Sequence, residues 1–143
     1  MLIDAKKRRI ITINEVYEFL KNCGIYYLAT VEGDQPHVRH FGTIDLFEDK
    51  LYIQTGKSKA VADQLKANSK VEISGMTSNG QWIRLCAEAV LDDNIAAQTH
   101  MLDAYPSLKA QYQPGDGNTE VYYLRNAAAQ ICSFTEEPKS FQF

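Results

Sequence analysis

The sequence predicts a mainly β protein of the α+β class, with six or seven short antiparallel strands rolled into a closed or nearly closed barrel and helices at its periphery. Three observations predict it. Runs rich in β-branched and aromatic residues recur between turn signals, as at residues 25–31 (IYYLATV) and 81–91. Amphipathic stretches stand between some of these runs, yet strand and helix do not alternate regularly enough for a parallel, doubly wound sheet. Closing such a set of strands removes exposed edges, which favours a barrel. The 143 residues suffice for one domain, 1–143, with one core, and neither a repeat nor a linker interrupts them.

Taken in order, Lys6, Lys7, Arg8 and Arg9 form a short basic run that reads as a solvated lead-in. Thr12 and Glu15 have capping-box spacing, and Val16, Phe19, Leu20 and Cys23 then recur at helical spacing, so 13–23 is a helix that Gly24 ends. Residues 25–31 form a buried strand, and Glu32, Gly33, Asp34 and Gln35 a hairpin loop. In the next strand Val38, His40, Ile44 and Leu46 share one face, while His37, Arg39, Phe41 and Thr43 share the other. A turn at Glu48, Asp49 and Lys50 returns the chain through 51–55, which completes an antiparallel meander.

Ser58 is then the expected N-cap of a helix to about Asn68 that buries Val61, Ala62 and Leu65. Residues 70–76 form a strand, Asn79-Gly80 a hairpin signal, and 81–91 a long strand. Ile83, Leu85, Ala87 and Ala89 lie on one of its faces, and Trp82, Arg84, Cys86 and Glu88 on the other. Ile95, Thr99 and Met101 or Leu102 mark a helix that begins near Asp92 and is broken by Pro106, with a short helical turn at 107–112. A polar loop over 113–118 leads to two final strands, 119–124 and 128–134, and a tail carrying Phe141 and Phe143 that must dock or fray.

Composition narrows the function. The chain is 45% hydrophobic and 23% charged with a net charge of −3, so nothing favours nucleic acid. No apolar run approaches the ~18 residues of a membrane span, and no signal-like apolar region follows Met1. Cys23, Cys86 and Cys132 are scattered and odd in number, which reads as reduced thiols of a cytoplasmic protein. His37 and His40 point to opposite faces of one strand and cannot chelate together, His100 stands alone, and no zinc spacing occurs. The Gly-x-Ser-x-Gly pattern of acyl transfer and the GxGxxG of a dinucleotide fold are both lacking.

The candidate site lies in residues 36–59. Arg39 stands in one strand, and Thr55, Lys57, Ser58 and Lys59 gather at the end of another where a helix opens. A helix N-terminus presents free N–H groups and partial positive charge, arginine adds a planar fork and lysine a point charge. Cations are mildly unfavourable at a helix N-terminus, so Lys57 and Lys59 together ask for an anion, and a phosphate suits the set. The plainer alternatives are a strand arginine in a surface ion pair and lysines that are merely solvated.

Three stretches taken in order, IYYLATVEGDQPHVRHFG, LYIQTGKSKAVADQLKANSKVEISG and WIRLCAEAVL, resemble the pyridoxamine-phosphate-oxidase-like, FMN-binding split-barrel family. The resemblance is close over 14 to about 91 and looser beyond. It implies a split barrel with FMN in a cleft between two identical subunits, hence a cytoplasmic homodimeric flavoprotein, an oxidoreductase, with a nicotinamide cofactor as possible reductant. Carried over by position, Arg39 pairs with the phosphate, His40 and Phe41 border the flavin ring, and Thr55 lies near the ring or ribityl chain. Ser58 and Lys59 match the phosphate loop, beside the candidate Lys57, and Trp82 falls near the cover supplied by the second subunit. The family pattern names no side-chain acid or base here.

The sequence also departs from that pattern. His40 stands where small relatives often carry proline, the loop over 55–59 is shorter than in the true oxidases, and the tail TEEPKSFQF lacks their substrate-binding ending. Flavin binding is therefore better supported than oxidation of vitamin B6 compounds. A non-enzymatic flavin-binding or stress-related module, and a split barrel adapted to haem or a deazaflavin, stay open as alternatives.

Overall fold

The computed structural model describes residues 4–143, and among these it has eight strands, three α-helices and one 3-10 helix. Their order is α1 (Ala5–Cys23), β1 (Tyr26–Glu32), β2 (Gln35–Phe41), β3 (Asp45–Phe47), β4 (Lys50–Gly56), α2 (Ala60–Ala67), β5 (Lys70–Met76), β6 (Trp82–Asp92), α3 (Ile95–Ala104), a short 3-10 helix (Pro106–Ala110), β7 (Thr119–Cys132) and β8 (Lys139–Gln142). The strands pair antiparallel in the order β2-β1-β5-β6-β7-β4-β3, with β8 also on β7. β2 and β3 end the path and do not bond to each other, so the sheet stays open as a split barrel with peripheral helices.

The core follows from strand alternation. Leu28, Ile73, Leu85 and Ala129 lie opposite one another across β1, β5, β6 and β7, all buried. Ile13, Val16 and Leu20 of α1 and Val61 and Leu65 of α2 complete the same cluster. A smaller cluster outside the barrel packs Ala97 and Met101 of α3 on Tyr52 and Val121. Residues 42–44 cross from the β2 edge to the β4 edge. There the Tyr26 hydroxyl donates to the Thr43 carbonyl, and the Gln54 N–H donates to Thr43 Oγ1 at 3.1 Å.

Several expectations change in detail. Helix α1 starts at Ala5, because the Asp4 side chain caps it by accepting from the Lys7 N–H at 2.9 Å. The basic run is therefore an exposed face of this helix, and Gly24 ends it with φ +71° as expected. β1 is not buried throughout: Tyr27 is 53% exposed, because the outer face of this strand carries no covering layer. The meander is broken. β2 pairs only with β1 while β3 and β4 form a hairpin at the other end of the sheet, since Gly42 to Ile44 leave the ladder.

Further along, Lys59 rather than Ser58 occupies the N-cap position of α2, and no side chain caps that helix. Helix α3 begins at Ile95 behind Asn94, whose side chain accepts from the Ala97 N–H. It buries Ala97, Gln98, Met101 and Leu102, leaving Ile95 exposed. The two final strands are one, β7, because Asn126 adopts φ +50° opposite a register shift between Cys86 and Glu88, and a bulge bends a strand without ending it. The tail docks: β8 pairs with β7, and Phe141 enters the core. It brings the strand count to eight.

Candidate functional site

The split in the barrel is also where the candidate residues meet. Arg39, His40 and Phe41 of β2 face Gln54 and Thr55 of β4 across a cleft of about 340 Å³, with Lys59 and Val61 at the start of α2 beside them. Leu108, Gln111 and Tyr112 at and just past the 3-10 helix form the remaining wall. Gly56 permits this wall. A Cβ there would stand 2.9 Å from the Tyr112 hydroxyl oxygen, so the ring packs directly on β4 backbone.

Alternation along β2 decides which side chains turn inward. Arg39 is opposite the buried Leu28 and shares its face, whereas the exposed His40 is opposite Tyr27 on the outer face. Arg39 reaches the polar gap between β1 and α2 instead of the apolar core. Its Nη1 donates to the Leu28 carbonyl (3.0 Å) and Thr30 Oγ1 (2.8 Å), and Nη2 donates to Gln64 Oε1 (2.6 Å). Burial lowers its pKa from the ordinary arginine value, though a guanidinium remains charged. All three acceptors are neutral, and among the described residues no carboxylate pairs with Arg39.

Arg39, Phe41, Thr55 and Lys59 are thus brought into one cleft with the exposed His40 at its rim, and three other candidates are not. Lys57 lines a separate cleft with Asp92, Asp93 and Glu120. The Ser58 N–H reaches toward Asn118 Oδ1 at 3.4 Å. Trp82 lies on the outer face of the sheet, 5.0 Å from the Phe134 ring. Among the described residues no group of His, Cys, Asp or Glu has metal-binding geometry.

Sequence reasoning missed Thr30, Gln54, Gln64 and Tyr112. Gln64 had a signal: a polar residue within the apolar stripe of α2 (Val61, Ala62, Leu65) must find a partner when buried. Tyr112 had none, because its neighbour Gly56 is distant in sequence.

An open antiparallel barrel with a part-buried arginine at its split defines a split-barrel protein whose cleft suits an anionic ligand. The sequence matches the pyridoxamine 5'-phosphate oxidase family model over residues 13–131, and the chain belongs to that family. A NimC/NimA family protein from Clostridium acetobutylicum is 43% identical, with a TM-score of 0.93 over 96% of each chain. A pyridoxamine 5'-phosphate oxidase-related, FMN binding protein from Nostoc punctiforme is 17% identical, with a TM-score of 0.61 over 99% of this chain and 97% of that one. A heme binding protein from Mycobacterium smegmatis is 13% identical, with a TM-score of 0.64 over 99% of this chain and 60% of that one. The last two likenesses show the shared fold, which therefore accommodates both FMN and haem among its members. No protein of curated function matches the sequence. Among the described residues no helix is long and apolar enough to cross a membrane.

Proposed function

We propose that the chain is an FMN-binding flavoprotein and oxidoreductase, working as a homodimer with FMN at the subunit interface and a nicotinamide cofactor as reductant. The observation that carries this reading is Arg39: a part-buried guanidinium held only by neutral acceptors, in the same cleft as Lys59. A buried charge without a counter-ion is unfavourable, and a phosphate supplies the missing anion. The residues present fit the group. Cations hold the phosphate end, Thr55 and Gln54 offer polar atoms along the cleft, and Phe41 and Tyr112 offer apolar walls.

Bound FMN supplies hydride acceptance and donation at its ring. The chain's part is to anchor, orient and dry the site. Arg39 and Lys59 fix one end, while Phe41, Leu108 and Tyr112 exclude water from the cleft walls. At about 340 Å³ the cleft is near the lower end of the ~300–1,000 Å³ typical of ligand sites. A ring at its mouth stays wet unless a second copy covers it.

The outer face of the sheet suits that cover. Across β2, β1, β5 and β6 the row His40, Tyr27, Ser74 and Arg84 runs from the cleft rim over this face. Beside it Met76 (58% exposed) and Phe134 (89% exposed) flank Trp82. Large exposed apolar groups of this kind mark interaction surfaces.

The test is a visible spectrum of the purified protein and parallel titrations with FMN and riboflavin. Flavin bands and at least about tenfold preference for FMN are expected from one charge-assisted bond to phosphate. Equal affinity for the two flavins refutes the phosphate site, and a haem spectrum assigns the cleft to another ligand. Anaerobic bleaching of the flavin by a nicotinamide cofactor, followed by reoxidation on an organic acceptor, separates an oxidoreductase from a protein that merely holds flavin.

A further inference from the structure

Gln64 is not among the residues expected to touch a ligand, yet its placement decides how much of Arg39 a ligand can use. The residue is 6% exposed on the inner face of α2, and its amide makes three contacts. Oε1 accepts from Arg39 Nη2 at 2.6 Å and from Thr30 Oγ1 at 2.5 Å, while Nε2 donates to Glu32 Oε2 at 3.2 Å. The orientation of this amide follows from its partners. Arginine only donates and an ionised carboxylate only accepts, so oxygen must face Arg39 and nitrogen must face Glu32. Thr30, 1% exposed, fits the same scheme: its oxygen accepts from Arg39 Nη1 and its hydroxyl proton goes to Gln64.

The edge of the guanidinium that these bonds occupy follows as well. Thr30 Oγ1 and Gln64 Oε1 are hydrogen-bonded to each other and take protons from Nη1 and Nη2 respectively, so they fill the end-on edge between the two terminal nitrogens. The Leu28 carbonyl takes the remaining Nη1 proton. Of the five N–H donors, the Nε proton and the outer Nη2 proton are left. These two form the side-on fork, a complete bidentate edge for a phosphate or carboxylate.

We infer that Gln64, together with Thr30, is a positioning residue that locks Arg39 through its end-on edge with neutral acceptors, so that the side-on fork and the whole positive charge are kept for the ligand's phosphate. Glu32 stands one residue behind, 68% exposed at its side chain, and orients the amide without touching the guanidinium. A glutamate at position 64 would preserve both acceptor bonds and cancel the charge. The inference rests on the reading of Arg39 as the phosphate ligand.

The experiment compares FMN and riboflavin affinities in the full-length protein and in Gln64→Glu, Gln64→Met and Arg39→Ala, with folding checked by circular dichroism. Gln64→Glu is expected to reduce the FMN-to-riboflavin affinity ratio at least about tenfold with riboflavin binding unchanged, because the phosphate then meets a neutralised pair. Gln64→Met, of similar size and uncharged, loses the clasp on Arg39 but leaves its charge intact, and is expected to lower the ratio only a few-fold, less than Gln64→Glu. A purely structural role predicts the reverse order, since glutamate keeps the bonds to Arg39 and Thr30 and methionine loses both. Retention of the ratio in Gln64→Glu, or a loss in Gln64→Met as large as that in Gln64→Glu, overturns the inference. If Gln64→Glu does not fold, Gln64→Met decides alone: a partial loss of the ratio, smaller than that of Arg39→Ala, supports the inference, and an unchanged ratio or a loss as large as that of Arg39→Ala overturns it. A wild-type protein with no preference for FMN, or Arg39→Ala without loss of preference, overturns the phosphate reading itself and the role of Gln64 with it.

Discussion

Replacing Gly56 by alanine tests whether the cleft wall is built as described. Gly56 ends β4 opposite Thr119 and has no left-handed φ, so alanine meets no backbone strain there. Its Cβ, however, would lie 2.9 Å from the Tyr112 hydroxyl oxygen and 3.1 Å from Cε1 of that ring. Tyr112 is buried and cannot swing away without losing its packing. Overfilling a packed site costs about 1–3 kcal/mol, and the reduced freedom of the unfolded chain returns about 0.4–1 kcal/mol. Gly56→Ala should therefore destabilise the protein by roughly 1–2 kcal/mol in urea unfolding with an unchanged m-value. Tyr112→Ala removes the clash partner, so in that background the same change should be neutral or slightly stabilising. The resulting coupling of roughly 1–3 kcal/mol belongs to residues in direct contact. Equal destabilisation by Gly56→Ala in both backgrounds would show that Tyr112 does not pack on Gly56.

Other expectations follow from the same geometry. Arg39→Ala and Lys59→Ala should each weaken FMN binding about ten- to a hundredfold, as loss of one charge-assisted bond implies, whereas Lys57→Ala, on a different cleft, should leave titration curves unchanged. Asp116 accepts from the N–H groups of Gln113, Asn118 and Thr119, and these bonds depress its pKa to about 2. Because the folded value lies below the unfolded value of about 3.9, the stability it lends the 113–119 loop is complete above that pH and lost as pH falls toward 2. Amide exchange at Asn118 and Thr119 should then exceed the intrinsic acid dependence as Asp116 protonates, and Asp116→Ala should show the faster exchange already at neutral pH. Sedimentation should give a dimer of about 32 kDa, twice the 16.2 kDa chain, and Trp82→Ala should raise its dissociation constant without changing the far-ultraviolet spectrum. A monomer that binds FMN tightly would remove Trp82 from the site.

What the sequence by itself determined was largely local. Alternation placed Ile83, Leu85, Ala87 and Ala89 inward on β6 and Trp82, Arg84 and Cys86 outward, since side chains on a strand have a period of two. The turns at Gly33, at Asp49 and at Gly80 were legible because residues tolerant of positive φ stand there. The ordered motifs around Arg39 and Lys59 pointed to the family and to the cleft. Tertiary structure alone decided the rest. Whether β2 continues toward β3 or parts from it depends on which edges find partners across the sheet, and no property of residues 42–44 announces that. Asn126 bends β7 without ending it because β6 shifts register opposite, a relation between strands far apart in sequence. The same holds within the site. Arg39 was visible as a cation, but its two neutral side-chain clasps, Thr30 and Gln64, come from β1 and α2, and Tyr112 reaches Gly56 from beyond α3. Periodicity reports which face a residue turns inward, and only the packed chain determines what it meets there.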